Sequence, residues 1–416
     1  MPATQPVYSK SVPELLPSMT SYKPNIGIKL IILLASLNAL VAAAIDMYLP
    51  AFPAIGNDLQ ISAGQVQQTL TVFLVGLAVG QGIYGPLLDR YGRRNPLLVG
   101  VLLFTAGSAL AALAHSFELL LVARFIQALG AAAGSVTPRA IIADTCDVDT
   151  AARVFSMLMQ VMMIAPITAP IIGSAALLFG PWQLIFWALA ITGVITGLFS
   201  LQMLPETLPR ENRLPISVRG ILRNYFKLLG HPRFLLFTLA SSFTVGALFI
   251  YISNSPFVFI QHYGLSPNQY SLIFAASASV MILTGQINLR LLRIYKPLEV
   301  LHMGLFGFVM AAGLLGVLLL LELADVWSYA VALGVCLSML GMITGNLTAV
   351  TMGYARQFAG IASSLMGMLQ FLLAGLLGFL VNLTPTTLLT LPLALSSCGL
   401  ISILFCYLAA RSPLRD

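Results

Sequence analysis

The sequence predicts an all-α membrane protein of twelve transmembrane helices, arranged as two six-helix bundles related by pseudo-twofold symmetry. Three observations carry that expectation. Hydrophobic residues make up 58% of the 416-residue chain and charged residues only 8%, with a mean hydropathy of +0.93, whereas soluble domains are roughly a quarter charged. Apolar runs of about 20 residues, long enough at about 1.5 Å per residue to cross a ~30 Å hydrocarbon core, recur along the chain. One long polar stretch, LPETLPRENRLPISVRGILRNYFKLLGHPR, divides those runs into two blocks of six.

The elements follow in order. Residues 1–28 are polar and proline-rich and lack the continuous apolar core of a signal peptide, so a mobile cytoplasmic tail and an uncleaved first span are expected. Spans beginning near residues 29, 66, 95, 119, 153 and 182 fill an N-terminal bundle over 29–204. A cytoplasmic linker occupies 205–233. Spans beginning near 234, 270, 297, 328, 358 and 386 fill the C-terminal bundle over 234–410, and 411–416 form a second cytoplasmic tail. Aligning Pro297 with Pro96 sets GQINLRLLRIYKPLE against YGPLLDRYGRRNPLL, and the same offset of 201 lays span seven on span one. A parallel repeat of this kind places a substrate cavity between the bundles near the midplane.

The net charge of +7 is a topology signal. With the N-terminus placed in the cytoplasm, 20 of the 21 Lys and Arg residues fall on that side, while connections such as AHSFE, LELADVW and VNLTPTT carry none. Both termini are therefore expected inside. The partner implied by this distribution is the lipid bilayer; nucleic acid is excluded. Cys146, Cys336, Cys398 and Cys406 have no paired spacing, and His115, His231, His262 and His302 are scattered, so neither a disulfide framework nor a metal site is expected. There is no P-loop to bind ATP, and no nucleophile or cofactor constellation that would make the chain an enzyme. No cofactor is expected.

The cation outside the topology pattern is Arg124, inside span four. Span one carries a single acid, Asp46, in VAAAIDMYLPAF. An unpaired charge in hydrocarbon costs several kcal/mol, so such residues are functional by default. Asp46 lies about seven residues, or ~10 Å, inside the end of span one near Pro53, and Arg124 about five residues, or ~8 Å, inside the end of span four. Their similar depth makes them expected partners. Arg124, Gln127, Ala131 and Ser135 follow at helical spacing as a polar and small-residue stripe. Further in-span polar residues are Asn38, Gln68, Gln81, Gln160, Asn254, Gln286, Asn346 and Gln370. Each forms either an interhelical hydrogen bond or a polar handle in a cavity. Tyr48, Phe257 and the 16 methionines are candidates for an adaptable apolar lining.

Between spans two and three, GPLLDRYGRR places Gly85, Asp89, Arg90, Gly92, Arg93 and Arg94 together. Its glycines suit a tight turn and close helix approach, and an acid among three arginines suits a conformational clasp. This stretch resembles the loop motif of the major facilitator superfamily. IDMYLPAFP, LVARFIQALGAAAGS, PWQLIFW, LPETLP, SNSPFVFIQHYGLSPNQYS and AGIASSLMGMLQ further resemble the bicyclomycin-resistance and chloramphenicol-exporter branch of its drug:proton antiporters, over essentially the whole chain after the tail. The resemblance implies a multi-pass transporter of the bacterial inner membrane driven by the proton gradient; the single acid deep in the spans points to small neutral, zwitterionic or weakly charged amphipathic substrates, bicyclomycin- or chloramphenicol-like, and two bundles in one chain to a monomer. Proton coupling then falls to Asp46 and Arg124, and substrate binding to Asp46, Tyr48, Gln127, Gln160, Asn254, Gln286, Asn346 and Gln370. The span-five antiporter motif corresponds to APITAPIIGS, where Pro166, Pro170 and Gly173 are retained and Ala165 and Ala169 replace expected glycines. Export of an endogenous metabolite or siderophore, proton-coupled uptake, and a non-transporting receptor or scaffold are the alternatives to drug export.

Overall fold

The computed structural model describes residues 27–146, 148–213, 218–355, 359–383 and 387–412, all helix or connecting chain without a strand among them. The first bundle comprises α1 (Ile28–Asp46), α2 (Phe52–Asp58), α3 (Ala63–Tyr91), α4 (Arg94–Ala112), α5 (Phe117–Thr145), α6 (Val148–Phe179) and α7 (Gln183–Met203). After a linker helix, α8 (Val218–Leu229), the second comprises α9 (Pro232–Pro256), α10 (Pro267–Leu291), α11 (Pro297–Leu320), α12 (Val326–Ser338), α13 (Leu340–Gly353), α14 (Ala359–Asn382) and α15 (Thr390–Arg411). Among the described residues, 12 helical stretches are long and apolar enough to cross a membrane; α1 with α2, and α12 with α13, each form one broken span. Helices are the expected solution, because hydrocarbon offers no partner to a free backbone amide. The tails expected at 1–28 and 411–416 lie outside the described residues apart from 27–28 and 411–412.

Local sequence explains the boundaries. Span two starts with Ser62 capping α3, its Oγ accepting from the Gln65 amide at 3.3 Å while Gln65 Oε1 accepts from the Ser62 amide at 2.9 Å. Span eight starts identically: Ser266 and Gln269 make the same two bonds at 3.3 and 2.9 Å. These reciprocal caps satisfy otherwise orphaned donors, and their recurrence at equivalent places is a sharper mark of the repeat than the proline alignment. Helix α6 runs from Val148 to Phe179.

Span one breaks where its prolines require it. Pro50 has no amide to donate to the Asp46 carbonyl, so α1 ends at Asp46 and a single 3₁₀ turn, Leu49–Ala51, intervenes before α2. The break corrects the expectation of a continuous helix to Pro53: Asp46 is the last residue of a helix. Pro256 acts similarly at the end of α9, which passes into a π-helical turn over Phe257–His262.

Call the end carrying Arg90, Arg93 and Arg94 the basic end and the other the far end. The bundles meet at the far end. Phe52 packs on Phe257 with ring centroids 5.8 Å apart, Gln67 Nε2 donates to Asn254 Oδ1 at 3.2 Å, and Ser271 Oγ donates to the Pro170 carbonyl at 3.0 Å. Helices α3 and α14 pack extensively, as do α6 and α10. The far end is closed.

Candidate functional site

Asp46 sits at the contact between bundles, 4% exposed. Its carboxyl faces a cavity of about 80 Å³ whose other walls include Pro166 of α6, Tyr251 and Ile252 of α9, and Phe274, Ser277 and Met281 of α10. Tyr251 and Phe274 stack with centroids 5.5 Å apart, and the buried Tyr251 hydroxyl has no hydrogen-bond partner among the described residues. Such a space holds a few water molecules at most, while drug-sized ligands occupy about 300–1,000 Å³. Substrate access to Asp46 therefore requires the bundles to part.

The expected Asp46–Arg124 pair is absent among the described residues. Arg124 is fully buried and points elsewhere: its guanidinium lies 4.2 Å from the ring centroids of both Tyr48 and Phe73, and 5.7 Å from that of Phe186. One Nη1 bond reaches the Ala44 carbonyl at 3.0 Å and another the Gln127 Oε1. Gln127 Nε2 in turn donates to Ser108 Oγ at 2.8 Å. Ala44 belongs to the last turn of α1, whose carbonyls attract a cation. The aromatic faces and this helix end take the place of the carboxylate. Nε and Nη2 have no hydrogen-bond partner among the described residues. Equal depth along two helices was the wrong criterion, because it leaves the azimuth of each side chain undefined.

Gly173 explains how α6 fits here. A Cβ at that position would collide with the Met47 carbonyl, so glycine permits α6 to lie against the broken segment of span one. Pro166 lines the Asp46 cavity, and the Pro170 carbonyl receives the Ser271 bond from the other bundle.

The remaining predicted binding residues scatter. Tyr48 is fully buried, its hydroxyl 3.3 Å from Thr69 Oγ1. Asn254 belongs to the far-end closure through Gln67, a residue absent from the predicted set. Asn346 Nδ2 donates to Asn288 Oδ1 at 2.7 Å, and Gln370 Nε2 to Ser241 Oγ at 2.6 Å, both within the second bundle. Gln160 and Gln286 are exposed. Missing from the prediction were Tyr251, Phe274 and Ser277, which no charge or motif singled out.

At the basic end, the clasp closes on the first bundle itself. Arg93 Nε donates to Asp144 Oδ2 at 2.8 Å and Nη1 to Asp89 Oδ1 at 2.7 Å. Burial opposes the charge of Arg93, and the bonds to Asp144 and Asp89 outweigh it, holding the guanidinium above its ordinary pKa. Glu206, from LPETLP, accepts from the amides of Arg93 at 2.8 Å and Arg94 at 3.4 Å, capping α4, and meets Arg213 of the linker at 3.4 Å. Gly92 has φ +90°, and a Cβ there would strike Glu206. Two members of the predicted clasp stand apart: Arg90 has no carboxylate partner among the described residues, and a Cβ on Gly85 would meet nothing within 4 Å. Neither Asp144 nor Glu206 was read as part of the clasp, since each lies far from it in sequence.

Residues 34–379 match the family model described as Major Facilitator Superfamily. An uncharacterized MFS-type transporter, YdgK, of Bacillus subtilis is 35% identical over 85% of this chain and 89% of its own. A bicyclomycin resistance protein homolog of Haemophilus influenzae is 30% identical over 93% and 97%, and the multidrug resistance protein MdtL of Escherichia coli O9:H4 is 32% identical over 80% and 82%. Among solved structures, a D-xylose-proton symporter superposes with a TM-score of 0.74 at 12% identity, covering 90% of this chain and 96% of its own.

Proposed function

Since the chain belongs to the Major Facilitator Superfamily, a family of transporters rather than enzymes, we propose that it is a proton-coupled exporter of small neutral, zwitterionic or weakly charged amphipathic compounds. It works in a bacterial inner membrane as a monomer, with the basic end and both termini in the cytoplasm. Relatives named for bicyclomycin and multidrug resistance support the substrate class, and the Lys and Arg distribution supports the orientation.

The observation that carries the proposal is the position of Asp46. It is an acid at the end of a broken helix, with no ion-pair partner among the described residues, facing residues of the opposite bundle. An ionised carboxylate there is costly while the cavity stays dry. Opening the far end admits water and a proton to Asp46; neutralisation lets the bundles close over it. Opening at the basic end admits substrate and water, and the proton leaves. Arg124 holds the last turn of α1 at the Ala44 carbonyl, keeping the carboxyl aimed between the bundles. It is a positioning residue in this scheme, not a static counter-ion. One proton falling through ~1 pH unit supplies ~1.4 kcal/mol, and a potential of ~100 mV adds ~2.3 kcal/mol. Together they sustain an outward gradient of several hundred-fold for a neutral substrate.

The test follows proton release with a pH dye as a panel of amphipathic drugs is added to purified wild-type protein and Asp46→Asn. Release in the wild type that disappears in the variant is the expected result. Equal release from both would move coupling away from Asp46, and no release with any drug would turn the substrate search to endogenous metabolites.

A further inference from the structure

Outside the transport path, an apolar depression lies between α3 and α4. It has a volume of about 390 Å³ and is walled by Ile83, Leu87 and Tyr91 on α3 and by Asn95, Val99 and Leu103 on α4, with Leu129 of α5 beneath. Helix α5 packs extensively against both walls, whereas α3 and α4 touch each other little. The walls therefore splay over a floor that holds them. Helix α4 packs on α5 and α7 of its own bundle and has no substantial contact with the second. The groove consequently opens on the outside of the molecule, where hydrocarbon lies. Val99 is 54% and Ile83 46% exposed.

Its two ends differ. From Gly80 to Tyr91 the groove follows α3 for ~16 Å, and that length offers almost no hydrogen-bonding group. At the basic end, polar groups gather at the mouth. The Arg90 guanidinium lies 5.4 Å from the ring centroid of Tyr91, which lines the groove, and Asn95 lines it from the other side. Arg90 is exposed and has no carboxylate partner among the described residues, where Asp89 is committed to Arg93 and Glu206 to the α4 amides and Arg213.

We infer that this groove is a binding site for one anionic phospholipid of the leaflet at the basic end, with an acyl chain between α3 and α4 and the phosphate on Arg90 and Asn95. Both halves of the ligand are matched: a long, mostly apolar channel takes a chain, and an exposed cation at headgroup level takes a charge. A polar drug would leave its own donors and acceptors unpaired along the same channel. The site is independent of the transport reading. It adjoins Gly92 and the clasp, and α3 also carries the packing against α14, so an occupied groove holds the orientation of the helix that joins the two bundles.

Native mass spectrometry of the full-length protein in detergent tests this, with phosphatidylglycerol, phosphatidylethanolamine and phosphatidylcholine of identical chains. One phosphatidylglycerol per chain is expected to bind about fivefold tighter than phosphatidylcholine, the effect of one cation near a charged headgroup. Arg90→Gln removes that preference. Val99→Trp, and Ile83→Trp from the opposite wall, fill the groove and displace all three lipids from this site. Thermal melting identifies which variants are folded, and the exposure of all three positions favours folding. A charge preference unchanged in Arg90→Gln, or the same tightly held lipid in both tryptophan variants, would overturn the proposal and leave only an ordinary lipid annulus.

Discussion

Arg124 illustrates what a residue's chemical type predicts and what it leaves open. A cation inside a span has to be compensated, and an acid at similar depth in another span was the natural candidate. The fold compensates it with two aromatic faces at 4.2 Å and a helix-end carbonyl instead. This arrangement depends on a flat, delocalised cation, so lysine is a poor substitute. Arg124→Lys is expected to lose about 1–2 kcal/mol of stability, seen as a lower melting temperature in detergent, and to weaken drug-induced proton release because the last turn of α1 is no longer held. Melting and release equal to wild type would show that the rings only fill space. Asp46 and Arg124 were legible in the sequence as the two charges needing an explanation. Phe73 was not, because one phenylalanine among 23 acquires its role only by standing opposite a particular guanidinium.

Helices are where composition and structure agree most closely, and their ends are where local chemistry decides. Pro50 and Pro53 stand just past Asp46 in the sequence, yet a pattern of apolar residues cannot distinguish a continuous helix from one that stops and restarts. The glycine motif is similar. GPLLDRYGRR reads as one unit, but its two glycines do different work: Gly92 turns the chain at φ +90° under the Glu206 carboxylate, while Gly85 lies within α3 beside open space. Gly92→Ala is expected to cost about 1–3 kcal/mol for the positive-φ backbone alone, with a further loss from displacing Glu206. Gly85→Ala should leave melting unchanged or raise it slightly, since alanine is the better helix former. Thermal melting of both variants checks the contrast, and equal destabilisation would contradict it. A transport defect in Gly85→Ala without a stability defect would place the close approach of that glycine in a different conformation.

The twelve spans, their division into two bundles and the side on which arginines gather follow from hydropathy, length and charge, which act on each segment separately. Contacts between the bundles do not, since periodicity within a helix says nothing about a residue 187 positions away. Gln67 and Asn254 meet at the far end in this way, beside the Phe52–Phe257 contact and the Ser271 bond to α6. If alternating access operates, all three must break together when the far end opens, because each joins one bundle to the other. Holding one closed should therefore arrest the cycle. With Gln67→Cys and Asn254→Cys introduced together, a short bismaleimide is expected to abolish drug efflux from reconstituted vesicles, whereas either single variant treated identically keeps it. Drug binding from the basic end should survive the cross-link, since the cross-link spans only the far end. Efflux persisting through a quantitative cross-link would mean that substrate crosses without separating these helices, and the two-bundle rocking mechanism would fall with it.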